Sequence, residues 1–425
     1  GLVLYKKGLY DDSLISHHKA LAIYQRLLGE NNPTTAQSHT NIGLVLYAKT
    51  QYDEALIAHR KALAIRINSL GENNANTAQS YTNIGLCLHK KGEYKAALEA
   101  HQKALAIREN VLGEINPETA ENYAHIGDVL METGQYDAAL QVQRRALAIR
   151  EQTLGRTNPI TASNYNNIGV VLYEQGKYDE ALEAHREALN IREMVLGENH
   201  ADTAANYNSI GVVLFEQGKY EDAYAAHRKT LEIRNRILGE NNVETASSYK
   251  NLGLVLQNLG RTDEALLSHH KALEIFERLL GDHPDTAQCY NSIGNLLANI
   301  GELNEALVNL RKALDMCKRV LSENDSNVAA SYNNIGNVLD RIGKYDDALS
   351  NHQKALEIRI RVLGENHPDT AQSFNNIGNV LASKHQYEDA LVSLYKALAI
   401  YERLHGQEAF AAATHNNIGL VLYEA

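Results

Sequence analysis

The stretch NYNNIGVVLYEQGKYDEALEAHREALNIREMVLGENH, residues 164–200, decides the fold, because the chain repeats it in one variant after another. The glycine that follows its Asn-Ile step recurs as Gly1, Gly43, Gly85, Gly127, Gly169, Gly211, Gly253, Gly294, Gly336, Gly378 and Gly419. The step is 42 residues except for two steps of 41, from Gly253 to Gly294 and from Gly378 to Gly419. Both deletions fall at one place in the period: LLGDHPDTA (279–287) stands against VLGENHPDTA (362–371), and the second lies near Gly406. Deletions confined to one place mark the connector between units of a repeat array.

Each unit reads as two helices. From about Thr161 to Glu174, Ala162, Tyr165, Ile168, Gly169 and Leu172 follow one another at spacings of three and four, the stripe of a 3.6-residue helix. Gly176 breaks the run, Asp179 is a plausible cap, and Tyr178, Ala181, His185, Ala188 and Ile191 form the stripe of a second helix that Gly197 ends. Connectors such as Pro117-Glu118-Thr119 and Pro368-Asp369-Thr370 place proline at the first helical position and a carboxylate in the first turn, both suited to a helix N-terminus. A glycine inside a helix costs about 1 kcal/mol against alanine, so Gly169 implies close helix approach, with Ala181 and Ala188 expected across from it. The whole of residues 1–425 is therefore expected to be a single array of about ten helix-turn-helix repeats. It starts and stops inside a repeat, as an excerpt of a longer array would, with ends that fray.

Composition narrows the function classes. The apolar fraction is an ordinary 44%, and no compositional break divides the 425 residues. Tyrosine is abundant at 23 against 4 phenylalanines and no tryptophan, which fits thin layers built with amphipathic rings. Cys87, Cys289 and Cys317 are odd in number and lie in apolar helical patterns, so they read as small core residues in a reducing compartment. With 41 basic against 52 acidic residues, the net charge of -11 argues against nucleic acid and acidic membranes as partners. No apolar run approaches the roughly 20 residues of a membrane helix and no signal-peptide pattern is seen; a soluble cytoplasmic protein is expected.

The order Tyr165, Ile168, Gly169, Tyr178, Ala181, Ala188 resembles the tetratricopeptide repeat signature, with tyrosine in place of the usual tryptophan and His185 in place of a large aromatic. The 42-residue period, with Ala-Leu-x-Ile-Arg and then Leu-Gly-Glu-x-His-Pro-Asp-Thr-Ala, is similar to the kinesin light chain and nephrocystin-3-like type of this repeat. The resemblance implies an all-α, right-handed α-solenoid whose first helices line a concave wall, the ligand groove. It also implies a protein interaction scaffold with a cargo or adaptor role, and peptide segments of other proteins, kinesin heavy chain or cargo adaptors among them, as partners. A different class of function is open as well: the array as the sensor or oligomerisation arm of a larger signalling ATPase.

Catalytic chemistry is not visible. There is no GxxxxGK[ST] loop, GxGxxG turn, HExxH or paired CxxC, so no catalytic residue and no cofactor is expected. His17, His59, His101, His185, His227, His269 and His352 occupy one equivalent site in seven repeats. Helices packed about 8 to 10 Å apart hold such side chains too far from one another to share a metal ion whose ligands lie about 2 Å away. Gln143, Leu310 and Leu394 fill the same site, as packing allows and ligation does not. A structural role is expected, with the ring's polar edge satisfied locally. Arg66, Arg108, Arg150, Arg192, Arg234 and Arg359 form a second ladder near the end of the second helix, expected to meet acidic residues in the next repeat's first turn.

The binding candidates come from helix phase. At about 100° per residue from Gly169, the residues Ser163, Asn166, Asn167, Val170, Tyr173 and Glu174 share a face adjoining the buried stripe. The second amide of the Asn-Asn pair recurs as Asn41, Asn83, Asn167, Asn251, Asn334, Asn376 and Asn417; His125, Ser209 and Ser292 replace it elsewhere. The first recurs as Asn166, Asn208, Asn291, Asn333, Asn375 and Asn416. Asparagine both donates and accepts, so such rows suit the backbone of an extended peptide. The other role open to the pair is to bridge neighbouring first helices. Leu44 with Tyr47, Val170 with Tyr173 and Val212 with Phe215 offer apolar pockets at the earlier end, giving way to Asn295, Asn337 with Asp340, and Asn379. A basic clamp for a terminal carboxylate is not assembled, since Lys250 alone falls at a matching site.

Overall fold

The computed structural model describes residues 1–404 and 406–425. Every element among them is a helix. Packing divides the chain into two compact units, Gly1–Lys219 and Tyr220–Ala425. In the first unit the first helices of the repeats are Leu2–Lys6, Pro33–Ala48, Ala75–Lys90, Pro117–Glu132, Pro159–Glu174 and Ala201–Glu216. The second helices there are Tyr10–Leu28, Tyr52–Leu70, Tyr94–Leu112, Tyr136–Leu154 and Tyr178–Leu196. In the second unit the first helices are Val243–Asn258, Pro284–Asn299, Ser326–Ile342, Pro368–Ser383 and Glu408–Glu424. Its second helices are Tyr220–Leu238, Thr262–Leu280, Leu303–Val320, Tyr345–Leu363 and Tyr387–Tyr401. Within each unit a second helix packs on the first helix of its own pair and on that of the next, so each unit is an α-solenoid.

The start and stop signals act as elementary chemistry requires, with one correction. The first helices are capped from the connector: Asn116 Oδ1 accepts from Glu118 N–H at 2.8 Å, and His367 Nδ1 accepts from Asp369 N–H at 3.1 Å, in each case just before a proline at the first position. The second helix starting at Tyr178 has Lys177 at its cap position with no side-chain cap, so Asp179 lies inside the first turn instead of capping it. The turn itself closes the preceding helix: Lys177 N–H reaches Leu172 O at 2.9 Å and Gly176, at φ +72°, reaches Tyr173 O at 2.8 Å. The conserved-looking threonine of the connector has its own task. Thr161 is fully buried and donates to Gly155 O at 2.9 Å, and Thr119 and Thr370 do the same to Gly113 and Gly364, so each connector is tied to the helix it precedes.

Close approach does explain the mid-helix glycine, but the group across from it is different from the one expected. Ala181 and Ala188 are both fully buried, yet a Cβ at Gly169 would stand 2.7 Å from Cε1 of His185. The ring lies flat against the glycine, as do His59 on Gly43, His101 on Gly85, His269 on Gly253 and His352 on Gly336; Gln143, Leu310 and Leu394 cover Gly127, Gly294 and Gly378. The expectation of a locally satisfied ring edge holds for two of them. His185 Nδ1 meets Asn166 Oδ1 at 3.2 Å and His352 Nδ1 meets Asn333 Oδ1 at 3.2 Å, whereas both ring nitrogens of His101 and of His269 are buried without a partner.

The arginine ladder is buried or nearly so, and it meets the expected first-turn acids in two repeats, Arg108 Nε lying 3.6 Å from Glu118 Oε2 and Arg234 Nε 3.4 Å from Glu244 Oε2, while its other partners were not foreseen. Arg108 is wholly inaccessible; its guanidinium donates to Glu118 O at 2.7 Å and Asn122 Oδ1 at 2.6 Å in the next first helix, and to Gln79 Oε1 at 2.7 Å in its own repeat's first helix. Arg66 and Arg359 likewise take a first-turn carbonyl and a serine hydroxyl, from Asn76 with Ser80 and from Asp369 with Ser373. Carbonyls and small polar side chains are the acceptors that recur, and the carboxylates of Glu118, Glu121 and Glu244 join them at Arg108 and Arg234. The fork spans three helices, which a point charge does not. Arg108→Lys is expected to leave at least one of these acceptors unmet and to cost about 1 to 3 kcal/mol, read as a lower urea midpoint.

Candidate peptide-binding face

The first helices sort their residues in the order that phase required. Around Gly169, Ala162, Ile168 and Leu172 are buried, Asn166, Asn167, Val170 and Tyr173 are half-buried, and Glu174 is exposed. One asparagine of the opening stretch was missed. Asn164, fully buried, accepts from Arg150 and donates to Gln143 Oε1 at 2.9 Å; its equivalents Asn122 and Asn206 are buried as well. The signal lay in the spacing of 14 residues from each ladder arginine to Asn122, Asn164 or Asn206.

The first amide joins neighbouring first helices in four of the pairs, whereas Asn416 is exposed. Asn166 Oδ1 accepts from Asn206 at 3.1 Å, Asn291 donates to Ser331 Oγ at 3.0 Å, Asn333 accepts from Asn376 at 2.9 Å, and Asn375 accepts from Asn417 at 3.1 Å. Asn333 is itself 4% exposed, and Asn208 is half-buried. The second amide points back to the preceding repeat in two cases where its bond is seen: Asn167 Nδ2 donates to Asp128 Oδ1 at 3.2 Å, and Asn376 reaches Asn333 together with Asn337. Asn41 and Asn83 accept from Gln37 and Gln79 one turn earlier, Asn83 being buried. Asn251, Asn334 and Asn379 are half-buried and Asn337 is exposed.

The apolar positions also lie at the surface. Leu44 is exposed, and Tyr47 and Tyr173 are half-buried with their rings against Tyr52 and Tyr178, centroids 5.4 and 5.7 Å apart, at the start of the second helix. Val170, Val212 and Phe215 are half-buried.

Charge on this face is internally engaged. Burial pushes the Asp128 carboxyl up to about 6, although it accepts from Gln143 Nε2 at 2.9 Å. Burial likewise holds His125 down to about 4, its ring stacked 5.2 Å from that of His101. Lys250 Nζ lies 2.5 Å from Asp285 Oδ1 and donates to Gln288, and Arg341 donates to Ala298 O at 2.6 Å. Among the described residues no group of three or more histidine, cysteine or carboxylate side chains is placed to hold a metal ion, and no helix is long and apolar enough to cross a membrane. Cys87, Cys289 and Cys317 are buried free thiols.

The model of the tetratricopeptide repeat matches residues 1–68, 39–110, 118–194, 163–236, 202–269, 245–319 and 327–403. The chain belongs to the tetratricopeptide repeat family. None of the curated proteins compared with this tetratricopeptide repeat chain matches it. Among solved structures, the apo form of RapI is similar over 90% of this chain and 98% of its own at 16% identity, with a TM-score of 0.63, a likeness of fold. Also similar are BtubC (BKLC) from P. vanneervenii, at 22% identity over 54% of this chain and 89% of that one with a TM-score of 0.46, and the tetratricopeptide-like repeats of a putative kinesin light chain from Podosopora anserina. The latter is 17% identical over 48% of this chain and 97% of that one, with a TM-score of 0.43.

Proposed function

We infer that this tetratricopeptide repeat array is a non-catalytic scaffold that holds extended peptide segments of partner proteins along the face of its first helices, in a cargo or adaptor role. The observation that supports this reading is the division of labour between the amides. Four of the first amides are spent on joining helices, while Asn334 and Asn337 in one repeat and Asn379 in the next are half-buried or exposed, Asn337 and Asn379 standing one repeat apart, and offer donors and acceptors to a peptide backbone. At the earlier end, Leu44 with Tyr47 and Val170 with Tyr173 supply the apolar surface on which side-chain anchors would rest.

The test is selection of peptides from a random library on the immobilised chain, followed by titration of the selected peptides. Asn334→Ala/Asn379→Ala is expected to weaken them about tenfold, the loss of roughly 1.4 kcal/mol of backbone hydrogen bonding, with helicity and melting unchanged. Equal affinity of a folded double variant for every selected peptide would remove the amide row from the site.

A further inference from the structure

A tyrosine near the middle of the first helix recurs in seven repeats, and in four of them, at Tyr123, Tyr165, Tyr207 and Tyr290, its hydroxyl donates to a glutamate of the preceding second helix. The Tyr165 hydroxyl donates to Glu151 Oε1 at 2.6 Å, and Tyr207 donates to Glu193 Oε1 at 2.6 Å; in both cases the acceptor lies 14 residues upstream on the preceding second helix. Tyr123 and Tyr290 make the same bond to Glu109 and Glu277. Over the ring of several of these tyrosines stands a lysine of the same repeat, Lys271 over Tyr249 and Lys312 over Tyr290, each 5.2 Å from the centroid.

Tyr332 keeps the lysine and has a second one in place of the carboxylate. Lys354 Nζ lies 5.4 Å from its ring centroid, and the residue 14 upstream is Lys318, whose Nζ lies 5.0 Å from the same centroid. Where a glutamate would accept the phenol and offset the ammonium, two ammonium groups face one phenol. Neither lysine forms an ion pair, and the Tyr332 hydroxyl has no hydrogen bond, among the described residues. These groups open on a cleft of about 340 Å³ floored by Val328 and Ile358. Its remaining cation, Arg361, is held by Glu357 at 2.8 Å and by Asn324 at 2.6 Å, and Glu323 stands on the lip. Glu323 and Glu357 line the cleft as well, but neither lies within ion-pair distance of the two lysines.

We propose that this cleft is a binding site for a dianionic phosphate group, held by Lys318, Lys354 and the Tyr332 hydroxyl. Two point charges and one neutral donor match a group with two charges and three acceptor oxygens, and ammonium groups bind phosphate without the fixed fork that a planar carboxylate favours. Ile358, half-buried, gives the organic part of a phosphate ester an apolar surface. The site shares no residue with the peptide-binding face, so either reading stands or fails alone.

The experiment is isothermal titration calorimetry of the full chain with phenyl phosphate and with inorganic phosphate. Lys318→Glu serves as the variant, because glutamate stands at this place in four other repeats, Glu277 of the preceding one among them, and would give Tyr332 an acceptor, so the fold is retained. One equivalent of phenyl phosphate is expected to bind, at least tenfold more weakly to Lys318→Glu, and Lys354→Ala is expected to weaken it as well. Tighter binding of phenyl phosphate than of inorganic phosphate assigns the site to an esterified group; equal binding assigns it to free phosphate. Absence of heat from both at millimolar concentration, or the same affinity in wild type and Lys318→Glu, overturns the proposal.

Discussion

Acidification from pH 7 to pH 4 is expected to destabilise this array well before its exposed carboxylates titrate, and replacing buried histidines by leucine is expected to blunt that loss. Burial holds His59, His185, His269 and His352 down to about 4 and His101 to about 3, all with almost no exposed surface. A histidine in the unfolded chain takes its proton near 6.5. Because the folded value is the lower one, each ring contributes stability that is present above about 6.5 and is lost as pH falls toward 4, since the unfolded chain binds the proton first. A shift of that size corresponds to about 3 kcal/mol per ring at about 1.4 kcal/mol per unit. Asp128 acts in the opposite direction: pushed up to about 6, it contributes more as pH falls through that value, but it is one group against five. The array itself supplies the control residue, since Leu310 and Leu394 occupy the histidine site in other repeats and cover Gly294 and Gly378 in the same way. Urea midpoints of wild type and His59→Leu/His185→Leu, measured from pH 7.5 to 4, should converge toward low pH or cross, with the variant's slope shallower by about two protons. Parallel profiles would mean that these rings are not the groups taking up protons on unfolding.

The period, the helix pairs and the buried stripe were legible because they rest on spacing alone, and spacing survives any choice of partner. The end of the first helix at Glu174 coincides with the phase reading, since Gly176 at positive φ follows it, whereas the second helix starts at Tyr178, before the Asp179 read as its cap. What escaped was the partner of each polar residue. Arg108 was expected to meet acids in the next repeat's first turn, but not to be the most voluminous fully buried side chain with further acceptors on two other helices, 29 residues before and 10 to 14 residues after it. Asn166 and Asn167 were placed on the right face, but a helical wheel has no term for the next helix in the stack. Phase cannot separate an amide that meets solvent from one that meets Asn206 or Asp128. The same blindness put Ala181 across from Gly169. An apolar stripe records which residues are buried; it does not record which of them lies flat on which backbone.

Gly85→Ala is the second large effect expected, and its sign runs against helix propensity. In an exposed helix the change would stabilise by about 1 kcal/mol. Here the added methyl would stand 2.5 Å from Cε1 and 2.6 Å from Nε2 of His101. That ring is fully buried and stacked on His125, so it has no free space into which to swing. Overpacking of this kind costs about 1 to 3 kcal/mol, and leucine at the same place should cost more, because its branches also have to displace the ring. A double variant isolates the contact. His101→Ala removes the ring, so Gly85→Ala added to that background should cost far less than in wild type, a coupling of about 1 to 2 kcal/mol between the two positions. Thermal and urea unfolding of the four proteins measure it. If the two changes add without coupling, the glycine is kept for a reason other than the ring that lies on it.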